Sequence, residues 1–276
     1  MKVLPYIKQK FFRAIFSLDK KAAFYALRNI YYEGMVRRLN DASKFNWDQF
    51  KVSQTPEKFE DLTGLFFRSP LTRGILRQDI DEAALLFKSI SAIPHAKGVE
   101  IGRFYGGSTV LLTTAIGSQG KLYSIDIAPK FNDQELIAVL KKLGFQDRVK
   151  LIIDDANKID IDEELDFAFI DGDHSYEGAR LDHNKWGRKL KPGALLIHHD
   201  MANSRPHSVQ WNDLAELYTS ILKTQSTCLQ VVAEAGSMVV FRKTGDAWID
   251  VPPGQNQMVN TEGVQSKVNS YLNRED

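Results

Sequence analysis

The chain has a single cysteine, Cys228, in 276 residues. One thiol excludes an intramolecular disulfide and any zinc site built from several cysteines. It suits a reducing compartment, so the expected location is cytoplasmic. Net charge is scarce too: 36 Lys and Arg against 35 Asp and Glu leave +1. That excludes a global basic field, and no nucleic-acid partner is expected. No stretch approaches the ~18 consecutive apolar residues that span a bilayer. The first residues carry lysines but neither a continuous apolar run nor a small-residue cleavage site, and are not read as a signal peptide.

What is present is 43% hydrophobic and 26% charged, enough for one full α/β domain and an appendage. The charge is uneven. Residues 1–44 hold ten Lys or Arg against three acids, a net +7, which leaves −6 for the remainder. Leu4, Ile7, Phe11, Ile15 and Leu18 recur at helical spacing with Lys8, Lys10 and Arg13 largely off that stripe, and a second helical pattern covers 20–39. Such helices either lie on an anionic membrane surface or pack on the core or on a second subunit of a homo-oligomer. The aromatic content of residues 24–32 favours packing. Residues 40–78 are irregular and are read as a lid over a ligand. Asp79 with Glu82 forms a capping box for a helix that ends before Pro94.

The stretch Lys97–Thr109, KGVEIGRFYGGST, reads as a buried strand, a glycine turn and the start of a helix capped by Ser108. Gly102, Gly106 and Gly107 permit positive φ and let a ligand approach bare backbone. The helix N-terminus beyond offers unpaired N–H groups. Its GxxxGG spacing fits a dinucleotide loop poorly. About 20 residues on, a second strand ends in Asp126, where nucleotide-binding α/β folds place an acid for a ribose diol. Glu100, at the end of a buried strand, needs partners.

Strand and helix then alternate: strands at 121–125, 149–153, 165–170 and 194–197, helices at about 133–143, 176–190 and 208–223, and a closing hairpin at 229–233 and 237–242. Five strands, each expected to be trailed by a helix, predict a Rossmann-like, mostly parallel sheet with helices on both faces. Right-handed crossovers would bring Asp126, Asp155, Asp171 and Asp200 to one edge. The chain divides into an N-terminal extension (1–78), an α/β domain (79–243) and a polar tail (244–276).

Three blocks carry a family resemblance: Val99-Glu100-Ile101-Gly102 with Gly106–Thr109; Tyr123–Asp126; and Phe169–Gly178 with Leu190–Ala194 and His199-Asp200. Over about residues 80–242 the sequence resembles the class I S-adenosylmethionine-dependent methyltransferases. Within them it is similar to a bacterial O-methyltransferase-like group that includes cephalosporin-hydroxylase-like and macrolide-sugar O-methyltransferase-like members. The resemblance implies a seven-stranded sheet whose last strand is antiparallel, and O-methylation of a small polyhydroxylated, sugar-like or glycan acceptor. A hydroxylase-like activity and an inactive assembly protein are the alternatives.

The resemblance also implies site roles. Gly102, Gly106, Gly107 and Ser108 would lie against the methionine part of S-adenosylmethionine, with Glu100 at the base. Asp126 would take both ribose hydroxyls, and Asp155 with Ala156 would sit beside the adenine. Asp171 and Asp200 would hold a divalent cation such as Mg2+. Metal-dependent relatives often carry Asn or Asp where this chain has Met201, which leaves His199 as a third ligand to consider. His174, with Asp171, is the choice for catalysis, as a base near neutral pKa in an acidic crevice; the other reading of His174 is a cap for the helix that begins near Ser175. His198 is expected in the sheet packing.

Overall fold

The structure is a computed structural model that describes residues 47, 55–66, 75–128, 133–201 and 212–254. The chain divides into two units, residues 1–46 with 67–73 and residues 47–66 with 74–276, and every described residue belongs to the second. The helices expected over 1–39 lie outside the described residues.

Seven strands are β1 (Lys97–Ile101), β2 (Lys121–Asp126), β3 (Val149–Ile153), β4 (Leu165–Ile170), β5 (Leu190–His198), β6 (Leu229–Ala235) and β7 (Met238–Lys243). They form one sheet in the order β3-β2-β1-β4-β5-β7-β6. β7 pairs antiparallel with both β5 and β6, while β1 to β5 pair parallel. β4 holds the centre because all six residues of Leu-Asp-Phe-Ala-Phe-Ile are buried, as a parallel strand covered on both faces requires. Next to it, Gly98 of β1 stands opposite Phe167, whose ring fills the space a side chain would need. The chain runs outward from β1 to one side and from β4 to the other. This reversal opens a crevice at the carboxyl ends of β1 and β4, where α/β sheets bind ligands.

The helices are α1 (Ile80–Ser91), α2 (Gly107–Ala115), α3 (Asp133–Lys142), α4 (Tyr176–Lys189) and α5 (Asn212–Thr224). Two sequence expectations change. No helix trails β3: the chain turns at Ala156–Lys158 and returns to β4 through a stretch without regular structure. Asp154, Asp155, Asp160 and Asp162 break any helical pattern there, and Ile161 is buried in the core. The Lys191-Pro192-Gly193 turn is part of β5, with a register irregularity between Leu165 and Phe167. The start expected for α5 at 208 falls on undescribed residues.

The described start of the C-terminal segment packs on α4. Asn184 exchanges hydrogen bonds with the Val251 backbone (3.0 and 2.9 Å), and Gly254 N donates to Glu177 (2.8 Å). Beneath lies a fully buried polar chain. Gln225 Nε2 donates to the Ile249 carbonyl, so its Oε1 accepts from His183 Nε2 (2.6 Å). The bare Nδ1 of His183 then accepts from His198 Nε2 (2.9 Å); the hydrogen bonds fix both tautomers. His198 thus sits in the packing, as expected.

Burial lowers His183 from 6.5 to about 4, outweighing its bond to Gln225. Between pH 6.5 and about 4 the unfolded chain takes up a proton that folded His183 refuses. Stability therefore falls with acidification over that window, by on the order of 3 kcal/mol for this group. Thermal denaturation from pH 7 to 4 should show the decline, and His183→Gln should flatten it; an unchanged slope in the variant contradicts this account.

Candidate functional site

Glu100, next to last in β1, has no solvent exposure. One carboxylate oxygen, Oε2, accepts from Thr109 Oγ1 and Ser124 Oγ, both at 2.6 Å. The other, Oε1, is buried without a hydrogen-bond partner. Burial raises the Glu100 pKa, partly offset by the hydroxyls of Ser108, Ser124 and Thr109 and by Arg103. Ser108 is therefore not the helix cap: Gly106, at φ +83°, is the N-cap, and Ser108 lies buried within α2 beside Glu100. Gly102 is at φ +86°, and a Cβ there would strike the Asp171 carbonyl. The glycine loop thus lies directly on the end of β4.

Asp126 orders this loop. Its Oδ2 accepts from the backbone N–H groups of Arg103 (3.0 Å) and Phe104 (2.9 Å), and Oδ1 from Ala128 N (2.8 Å). A carboxylate has about four lone-pair positions, so one is left. The Arg103 guanidinium is buried, donating to the carbonyls of Ser124 (3.0 Å) and Ile152 (2.8 Å) and in bidentate fashion to Asp133. It ties the loop to the ends of β2 and β3 and to α3. Asp155 Oδ1 accepts from Asn157 N (2.9 Å), and the Ala156 carbonyl takes Lys185 Nζ (2.9 Å). Beside them Asp182 is pushed up to about 7, first by burial and then by Asp155 and Asp173.

The second half of the crevice forms at the ends of β4 and β5. His174 Nε2 lies 3.6 Å from Asp171 Oδ1 and 3.4 Å from Asp200 Oδ2. Burial lowers its pKa, but the two carboxylates outweigh this and raise it to about 9. Ser175, not His174, caps α4, accepting from Gly178 N. His199 is clamped instead: Nε2 meets Glu82 Oε2 at 3.0 Å, and Nδ1 meets Asp171 Oδ1 and Asp200 Oδ2 at 3.2 Å each. Carboxylates only accept, so both ring nitrogens carry protons and the pKa stands well above 6.5 despite burial. Glu82 also accepts from Ser237 N and Oγ (2.7 Å each). Burial pushes Glu82 up, but the His199 and Ser237 bonds hold it to about 2. Asp173 serves the helix start, accepting from Ser175 N (2.8 Å).

Across this half runs the segment Ile75–Asp79. Ile75 and Leu76 press on Gly107, Arg77 stacks over the rings of Phe104 and Tyr105 (4.6 and 5.1 Å), and Gln78 Nε2 donates to Asp171 Oδ2 (2.7 Å). Asp171, His174 and Asp200 offer ligand atoms that all lie within 4.8 Å of one another. His199 does not join that set, because its nitrogens are committed to carboxylates. Met201 is fully buried in the core.

Residues 99–201 match the family model described as a methyltransferase domain. Over that stretch the chain is similar to a methyltransferase domain. The fold is similar to that of cofactor-bound Rv0187 from MTB, at TM-score 0.51 and 17% identity, covering 62% of this chain and 83% of that one. A candidate caffeoyl-CoA O-methyltransferase from Staphylococcus aureus is similar at TM-score 0.50 and 16% identity, over 61% and 85%. At these identities the likeness is one of fold. No curated protein matches the sequence. The methyltransferase match begins at Val99, so α1 with Glu82 and the segment with Gln78 lie before it. No described helix is long and apolar enough to cross a membrane.

Gly102→Ala should destabilise the protein by more than about 2 kcal/mol, since a left-handed φ costs an L-residue ~1–2 kcal/mol before the collision with Asp171 is counted. Thermal or urea denaturation reads this directly. A neutral substitution would mean that the loop does not rest on β4.

Proposed function

We propose that the methyltransferase domain transfers a methyl group from S-adenosylmethionine to a hydroxyl of a small polyhydroxylated or sugar-like acceptor, with His174 as the base. The observation that carries this reading is the contrast among the histidines at the strand ends. His198 is buried and held neutral, and His199 is locked between carboxylates. His174 faces the crevice with 35% of its side chain exposed and two acids beside it.

The cofactor fits the residues present. The unpartnered Oε1 of Glu100 is a buried acceptor suited to the methionine ammonium. The remaining lone-pair position on Asp126 suits one ribose hydroxyl; taking both would require releasing a loop amide. Ile127 and Ile153, 37% and 55% exposed at the ends of β2 and β3, offer apolar faces to a purine, with Asp155 and Ala156 at its edge. The cofactor's sulfonium supplies the methyl group. The chain's own work is to align the acceptor, which alone can lower a barrier by several kcal/mol, and to take the hydroxyl proton on the His174 imidazole once that ring has lost its own proton.

Asp171 and Asp200 are the residues that would hold a divalent cation such as Mg2+. Their oxygens converge on the same two histidines, and hard cations select carboxylate and carbonyl oxygen. A cation there would lower the pKa of the acceptor hydroxyl and neutralise the charges that keep His174 protonated. The imidazole C–H signals of His174 should therefore titrate near 9 in chelator-treated protein, and lower once Mg2+ is added. A midpoint unmoved by Mg2+ contradicts the arrangement.

The direct test follows labelled methyl transfer from S-adenosylmethionine to a panel of monosaccharides and small phenols. Transfer to a hydroxyl, reduced about 10²–10⁴-fold by His174→Ala, is expected. Undiminished transfer in the variant removes His174 from the reaction.

A further inference from the structure

We infer that Gln78 supplies the third protein oxygen to a divalent cation held by Asp171 and Asp200, an assignment that rests on the reading of the crevice given above. Gln78 is 5% exposed and lies before the matched methyltransferase segment. Its amide cannot be turned round, because Asp171 Oδ2 only accepts and so must face Nε2, at 2.7 Å. That leaves Oε1 as a carbonyl oxygen one carboxamide width from Asp171, buried and without a hydrogen-bond partner. A buried acceptor left open beside Asp171 needs a partner that takes electron pairs, and a cation is such a partner.

His174, whose nitrogen lies within reach of both carboxylates, is the base assigned above, and two other neighbours do not complete the set. Met201 is buried in the core with its N–H bonded to the Ser237 carbonyl (2.9 Å), and a thioether is a poor ligand for a hard cation. Both His199 nitrogens are committed to Glu82, Asp171 and Asp200.

Gln78 is also held in place before any ligand arrives. Leu76 N donates to the Leu65 carbonyl (3.0 Å), Ile75 and Leu76 rest on Gly107, and Arg77 stacks on Phe104 and Tyr105. Such support from neighbours is what keeps a ligand set in productive geometry.

The test is calorimetric titration of Mn2+ into the full chain after chelator treatment, with methyl transfer read separately. Wild type should bind one Mn2+. Gln78→Leu should weaken binding by about tenfold or more, and Asp171→Asn should abolish it. The deciding variant is Gln78→Glu, which keeps the oxygen and loses the Nε2 donor: it should bind Mn2+ at least as tightly as wild type. Equal affinity in Gln78→Leu overturns the assignment. So does Gln78→Glu weakened as much as Gln78→Leu, since Gln78 would then act only by holding Asp171. No Mn2+ binding by a wild type that still transfers methyl groups overturns it too and leaves the methyltransferase reading standing.

Discussion

The crevice depends on one buried charge arrangement: the His199 imidazolium enclosed by Glu82, Asp171 and Asp200. Desolvating four ionised groups is costly unless each is paired with good geometry, and breaking such a set by removing one member leaves an uncompensated charge. Here every contact except His199–Asp200 runs between different elements. Glu82 comes from α1, Asp171 from the end of β4, His199 and Asp200 from the end of β5, and Ser237 from the β6–β7 turn. The network therefore fixes where α1 sits against the sheet. It also orients the two carboxylates that face His174. The fold's edge and the site's chemistry share one interaction.

A methyl transfer asks little of a protein beyond alignment and a place for a proton. The two halves of the crevice match that division. Around Glu100, Asp126 and Arg103, buried hydrogen bonds shape a glycine loop and leave one acceptor open. Around Asp171, His174 and Asp200, charge is concentrated and one imidazole is exposed. The segment Ile75–Asp79 bridges the halves, since Arg77 stacks on the loop while Gln78 bonds to Asp171. Residues 75–78 are one described part of the stretch, 40–78, read from sequence as a lid.

Much of this was legible in the sequence because it is local. A continuous apolar run marked β4, Gly102 and Gly106 marked the turn, and an acid at each strand end marked the edge. What stayed hidden depends on tertiary approach. Glu82 reads as a capping-box residue, and it is one: Asp79 N donates to its Oε2 at 2.7 Å. The same carboxylate also meets His199, 117 positions away, which no spacing reveals. Arg103 inside a pocket-forming loop was a readable signal, since a cation there must find buried acceptors; the acceptors themselves were not predictable. Asp182 looks like a solvent-facing helix acid until α4 is packed. The expected helix after β3 failed because strand–helix alternation was extended over a stretch whose aspartates and turn favour a direct return.

The measurement that tests the central claim most directly is calorimetric titration of the full chain with S-adenosylhomocysteine, with the folded state confirmed by circular dichroism. The expected result is saturable one-to-one binding that Asp126→Ala removes, because that carboxylate orders the glycine loop and is the proposed ribose partner. A folded wild-type protein that binds no S-adenosylhomocysteine would contradict it, and would leave a methyltransferase fold without the chemistry assigned to it.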